Sequence, residues 1–109
     1  MRLLIDFAKE KKDSMKIIEL DISNCYNLYE LHARIRQAFN LPEWYGNNWD
    51  AFWDMMRSEC DVDKVIIKGE HTMPKEYSEE LAIMHEVLDR TIEYNERIGY
   101  PPFSYEVID

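Results

Sequence analysis

Residues 41–56 read LPEWYGNNWDAFWDMM, and this stretch predicts how the centre of the chain folds. Pro42 marks the end of the preceding helical pattern, because the residue before a proline avoids the α region. Residues 46–48 (GNN) are a turn signal, and the last of them is a residue type that caps helix N-termini well. The stretch therefore predicts a loop that leads directly into a helix over about residues 49–59.

This second helix has an apolar face and a polar face when it is drawn at about 100° per residue. The apolar face, which we expect to pack in the core, carries Trp49, Ala51, Phe52, Met55 and Met56. Asp50 and Asp54 lie four residues apart on the opposite face, where like charges cost roughly a few tenths of a kcal/mol. Trp53 falls on the same polar side. A large aromatic beside two carboxylates favours a partner-binding surface, although Trp53 packing sideways on the loop or a neighbouring helix remains open.

Arg57 brings positive charge to the face that carries the two aspartates. Its spacing of three residues from Asp54 predicts an intrahelical ion pair, while a direct partner contact and a lid over the acidic pair both stay open. In the preceding loop, Gly46 permits a turn with positive φ and a close approach by a partner's backbone. Trp44 and Tyr45 adjoin it, and we expect at least one of these clustered aromatic side chains to be exposed.

The rest of the chain carries three strand patterns and two more helical patterns. Strands are predicted over residues 16–22, 64–68 and 103–108, and helices over 28–39 and 76–98, with Gly99 as a stop signal. Ile17 is apolar opposite the main apolar face of the first strand, which predicts partial burial on both faces. Asn27 is the expected N-cap of the first helix, and Glu30 completes a pattern that resembles a capping box. His32 is expected on the surface of that helix.

The order strand, helix, helix, strand, helix, strand is typical of an α/β fold with a small three-stranded parallel sheet and packed helices. The length of 109 residues predicts one domain, over residues 15–109. Residues 1–14 are interpreted as an N-terminal extension of open role: a start-site extension, an expression remnant, or an extra strand from Leu3 to Phe7.

Composition narrows the class of partner. The chain has 22 acidic and 13 basic residues and a net charge of −9. This excess argues against direct binding to nucleic acid, whose phosphates are neutralised by Lys and Arg, and it favours a basic protein partner. Cys25 and Cys60 are too few for a disulfide framework and are expected to be buried. With neither a signal peptide nor a membrane-spanning run, the pattern predicts a cytoplasmic protein that does not bind membranes.

The central stretch resembles the barstar family of ribonuclease inhibitors, which carry the pattern Leu-Pro-Glu-aromatic-Tyr-Gly-x-Asn-x-Asp-Ala-hydrophobic-Trp-Asp. The matching residues are Leu41, Pro42, Glu43, Trp44, Tyr45, Gly46, Asn48, Asp50, Ala51, Phe52, Trp53 and Asp54. The resemblance covers about residues 15–109. It departs from the family at Trp44, where a tyrosine is usual, at Trp49, where a smaller aliphatic residue is usual, and at Arg57.

The resemblance implies an antitoxin or immunity protein, not an enzyme, that blocks a basic ribonuclease or related toxin nuclease as a 1:1 complex. Asp54 would take the place of a substrate phosphate, and Asp50 would meet an arginine or backbone donors. The family also uses an acidic residue late in the third helix, for which Glu93 or Glu96 is available. The expected partner-binding residues are Trp44, Tyr45, Gly46, Asn48, Asp50, Trp53, Asp54, Arg57 and Glu93.

Two other classes of function compete with inhibition. Asp50 and Asp54 could be a catalytic or metal-binding pair, but His32, His71 and His85 are isolated, and the sequence has no phosphate-binding glycine loop. No cofactor or metal is therefore expected. A regulatory or oligomerising module of the same fold, without nuclease inhibition, is the second alternative, and concentration-dependent self-association would indicate it.

Overall fold

The computed structural model describes residues 15–109, and its centre is a parallel sheet of three strands in the order β1-β2-β3. The strands are β1 (Ile17–Asp21), β2 (Lys64–Lys68) and β3 (Ser104–Ile108), and the helices are α1 (Leu28–Phe39), α2 (Trp49–Ser58) and α3 (Ser78–Ile98). Two short 3-10 turns, Glu70–Thr72 and Lys75–Tyr77, connect β2 to α3. The α/β fold with a three-stranded parallel sheet is thus confirmed, and the predicted boundaries shift by two residues at most. The possible strand at residues 3–7 lies outside the described residues.

Within residues 15–109 only one face of the sheet is packed. In the paired register Glu19 aligns with Ile66 and Glu106 on the outer face, and ion pairs cross the strands there between Lys64 and Glu106 and between Lys68 and Glu19. Ile17 on this face is 52% exposed. The expectation of partial burial on both faces is therefore wrong for β1, because the helices pack on the opposite face.

The core lies between the sheet and the three helices. α1 packs on β1, and α3 packs on both β3 and α2. Phe52 and Met56 of α2 are fully buried, as the helical wheel predicted, and Phe39 of α1 packs edge-on against Phe52 with ring centroids 5.6 Å apart. Cys25 and Cys60 are not joined in a disulfide, and both are buried, as expected. α2 therefore joins the α1 side of the core to α3.

Local capping follows the sequence signals closely. The Asn27 side chain accepts a hydrogen bond from the Glu30 backbone N–H at 2.8 Å, so the predicted N-cap of α1 is confirmed. The reciprocal half of a capping box is replaced, because the Glu30 carboxylate instead pairs with Arg34 at 2.7 Å. Gly99 ends α3 in the left-handed region with φ 82°, as predicted.

Gly69, directly after β2, is required by both its backbone conformation and its surroundings. Its φ is 88°, and a Cβ there would lie 2.3 Å from Ser23 Oγ and 2.6 Å from the Ser23 backbone nitrogen. Ser23 follows β1, whose end is joined to β2 by the hydrogen bond from Ile22 N–H to Lys68 O at 2.9 Å. A side chain at Gly69 would therefore push apart the carboxyl ends of two paired strands.

We predict that Gly69→Ala lowers the free energy of unfolding by about 3–4 kcal/mol, whereas Gly99→Ala lowers it by about 1 kcal/mol. Gly99 is a matched control, because its φ is also positive but a Cβ there would meet nothing within 4 Å. Urea denaturation of both variants measures the difference. Equal losses would show that the contact with Ser23 does not constrain the strand ends.

Candidate partner-binding site

The loop before α2 is held by the side chain of Tyr45, which is only 4% exposed. The Tyr45 hydroxyl lies 2.8 Å from Nδ1 of His32 on α1, and the Tyr45 backbone N–H donates to Pro42 O at 3.0 Å. Burial raises the pKa of the Tyr45 hydroxyl, which therefore stays protonated at neutral pH. The Tyr45 side chain thus points into the domain and is not available to a partner, contrary to its place among the expected binding residues.

His32 is buried as well, at 3% exposure, so the expectation of a surface histidine is wrong. Its ring packs between Tyr45 and Trp49, with centroids 5.8 Å and 4.3 Å away. The Trp49 indole, in turn, donates from Nε1 to a Glu80 carboxylate oxygen on α3 at 2.7 Å. Burial lowers the pKa of the His32 imidazole, and the Glu80 carboxylate acts in the opposite direction.

We predict that His32 makes the protein less stable as the pH falls. A histidine whose pKa is lowered in the folded state contributes stability above its unfolded pKa of about 6.5, and loses it as the pH falls toward the folded value. His32→Gln should lack this loss, so its free energy of unfolding relative to the parent protein should rise as the pH falls from about 7 to 5. His85, whose pKa is raised by its hydrogen bond with the Glu70 carboxylate, is present in both proteins, so its contribution cancels in the comparison. Parallel pH profiles would contradict the burial of His32.

The turn into α2 uses its residues differently from the prediction. The positive φ belongs to Asn47, at 55°, and not to Gly46. Gly46 is constrained by space instead, since a Cβ there would lie 3.3 Å from Asn48 Nδ2 and 3.4 Å from the Ala51 Cβ. Asn48 caps the helix as predicted: its Oδ1 accepts from Ala51 N–H at 2.8 Å, and its Nδ2 donates to Gly46 O at 3.1 Å. The first turn of α2 is therefore rigidly attached to the loop.

The outward side of this loop and helix carries the acidic pair. Asp50 lies in the first turn of α2 with its carboxylate exposed, and it has no hydrogen-bond or ion-pair partner among residues 15–109. Asp54, one turn later, is also exposed and forms the predicted ion pair with Arg57. Trp44 in the loop is 71% exposed. The surface thus combines one free carboxylate, one carboxylate shared with an arginine, and an open indole ring.

Trp53 lies at the edge of this acidic side and is half-buried. It packs edge-on against Tyr94 of α3, with ring centroids 5.9 Å apart. The guanidinium carbons of Arg57 and Arg90 lie 5.1 Å and 4.9 Å from the centre of the indole ring, within range of cation–π attraction. Trp53 therefore packs sideways on a neighbouring helix, yet it still contributes to the surface beside Asp54.

The late part of α3 completes the same surface. Glu93 lines a pocket of about 240 Å³ together with Trp53, Arg90, Tyr94 and Arg97. Glu96, by contrast, lines a separate pocket with Ile92, Tyr100 and Phe103. Of the two acidic residues considered for this helix, Glu93 is therefore the one beside Trp53. The binding residues predicted from the sequence did not include Arg90, Tyr94 and Arg97, although their spacing of four and three residues places them on one helix face.

The Asp54–Arg57 ion pair adds little stability, because the two side chains are 59% and 40% exposed. We predict that Arg57→Ala lowers the free energy of unfolding by no more than about 1 kcal/mol, and by less at high salt. Denaturation at low and high salt, with Arg57→Lys as the charge-preserving control, measures this. A larger, salt-independent loss would mean that Arg57 is a packing residue whose removal unsettles Trp53.

Among residues 15–109 no group of three or more His, Cys, Asp or Glu side chains is placed to hold a metal ion. None of the described helices is both long enough and apolar enough to span a membrane.

Comparison with known proteins assigns the family. The family model described as Barstar (barnase inhibitor) matches residues 15–104, which is most of the chain. The chain therefore belongs to this family. No match was found among curated proteins. The matched range begins where the described structure begins and includes the acidic pair, both tryptophans beside it, and Glu93.

Proposed function

We propose that this member of the barstar family is an intracellular inhibitor that blocks the active site of a basic ribonuclease or related toxin nuclease. It would act as an antitoxin or immunity protein, in a 1:1 complex. The observation that carries the proposal is the exposed acidic side of α2, where Asp50 and Asp54 lie beside Trp53 on a helix fixed by its cap. Asp54 would occupy the position of a substrate phosphate and meet the cationic groups of the nuclease.

Charge supports this assignment. A ribonuclease active site must attract phosphates, so it presents cationic groups, and a carboxylate is a compact anion that can replace a phosphate there. The net charge of −9 would attract a basic partner over long distances and speed its encounter. The free protein keeps the Asp50 carboxylate without an ion-pair partner among the described residues, as expected if its cation belongs to another molecule.

The rigidity of the loop and of the first turn of α2, together with two accessible aromatic rings, also supports the proposed inhibitor function. The Tyr45–His32 contact and the Asn48 cap hold the loop and the first turn of α2 in one arrangement, so little ordering would be needed on binding. Exposed Trp44 in the loop and half-buried Trp53 on α2 offer large rigid rings, and such residues are enriched in binding hot spots.

Arg57 favours a second candidate function. Its ion pair with Asp54 reduces the free charge of the acidic surface in the unbound protein. A partner's cation must therefore share the Asp54 carboxylate with Arg57 or displace Arg57 from it. The same surface could serve a regulatory interaction module that binds a protein other than a nuclease, and only an inhibition assay separates the two functions.

We predict that the protein inhibits at least one member of a ribonuclease panel that includes barnase and other basic ribonucleases. Asp54→Asn should weaken the inhibited complex by about 2–5 kcal/mol, since removing one charge of a buried pair leaves the other unpaired. Initial rates of RNA cleavage give the inhibition constants, and calorimetry gives the stoichiometry.

Glu19→Gln is the matched control, because it also removes one negative charge but lies on the outer face of the sheet in an ion pair with Lys68. It should leave inhibition nearly unchanged. Absence of inhibition across the panel, together with capture of a protein that is not a nuclease, would favour the interaction module. Equal inhibition by Asp54→Asn and the parent protein would remove Asp54 from the proposed interface.

A further inference from the structure

Arg90 and Arg97 are two arginines on an acidic protein that lie next to the proposed interface. They are seven residues apart on α3, so they share one helix face, and both are exposed. The Arg90 guanidinium lies over the Trp53 ring, and the Arg97 guanidinium lies over the Tyr94 ring at 5.6 Å. Both border the pocket of about 240 Å³.

Neither guanidinium forms an ion pair or hydrogen bond with another residue of the described part, 15–109. Glu93 lies between them in the chain and lines the same pocket, yet it is paired with neither. By contrast, Arg57 on the same surface forms an ion pair with Asp54. The ring contacts hold Arg90 and Arg97 in place while leaving their N–H donors open to another molecule, since a cation–π contact uses the face of the guanidinium group.

The chemistry of the pocket favours a single carboxylate over a nucleic acid. Arginine presents paired donors that match a carboxylate or a phosphate. An RNA strand that ran across this surface would meet Asp50, Asp54 and Glu93, and the net charge of −9 would repel its backbone. A single acidic side chain of a partner protein, flanked by basic side chains, would not be repelled in this way.

We propose that the pocket between Arg90 and Arg97 binds an acidic side chain of the protein partner, next to the cations that meet Asp54. The interface then carries charges of both signs, because α2 contributes carboxylates and α3 contributes guanidinium groups. This inference rests on the proposed binding surface and adds to it the charge pattern of the partner: basic residues with an Asp or Glu among them. Arg90 and Arg97 act as specificity residues, because a purely basic surface would be repelled by them.

The test uses two short peptides and no nuclease, so its outcome is separate from that of the inhibition assay. One is acetyl-Lys-Gly-Glu-Gly-Lys-amide, and the other has Gln in place of Glu. Nuclear magnetic resonance titration follows the Arg Nε–Hε and Trp indole signals. We expect the Glu peptide to bind about threefold more tightly than the Gln peptide and to shift the signals of Arg90, Arg97 and Trp53.

This preference for Glu should disappear in Arg90→Glu and in Arg97→Glu. It should persist in Arg36→Glu, a matched charge reversal on α1, which packs at the opposite edge of the sheet from α3. Thermal midpoints of the three variants show whether each one remains folded. Equal binding of the two peptides, a preference that survives in both α3 variants, or shifts at this pocket produced by a short oligouridylate instead would each overturn the proposal.

Discussion

The buried contact between Tyr45 and His32 is the constraint on which the proposed interface depends. It ties the loop before α2 to α1, while the amphipathic pattern of α2 turns Phe52 and Met56 into the core. Because Phe52 and Met56 face the core, the helical repeat directs Asp50 and Asp54 outward. The packing of the core therefore determines where the acidic side of α2 lies, and this geometry is already formed in the unbound protein.

Local features of this arrangement could be predicted from sequence because their causes are local. The caps by Asn27 and Asn48, the helix stop at Gly99 and the division of α2 into two faces all follow from residues within one or two turns. His32 could not be placed in this way. Its burial depends on Tyr45 and Trp49, residues of the following loop and α2 that reach it only after the chain folds back.

The part of the site on α3 was even less predictable from local sequence. Trp53 stood out in the sequence as an aromatic on a polar face, but its contacts with Arg90 and Tyr94 join residues about forty positions apart. No local pattern indicates which face of α3 meets α2. The packing of these helices decides that Glu93, and not Glu96, accompanies Trp53. It also brings the Arg90 guanidinium onto that indole, where Arg57 of α2 already lies, and so gives the acidic surface charges of both signs.

We propose that the binding surface is the side of the molecule formed by Trp44, the acidic side of α2 and the late part of α3. Hydrogen–deuterium exchange and cross-saturation of a complex with an inhibited ribonuclease measure this directly. We expect protection and saturation to centre on the indole groups of Trp44 and Trp53 and on residues 90–97. Contacts centred instead on the outer face of the sheet, around Glu19 and Ile66, would contradict it.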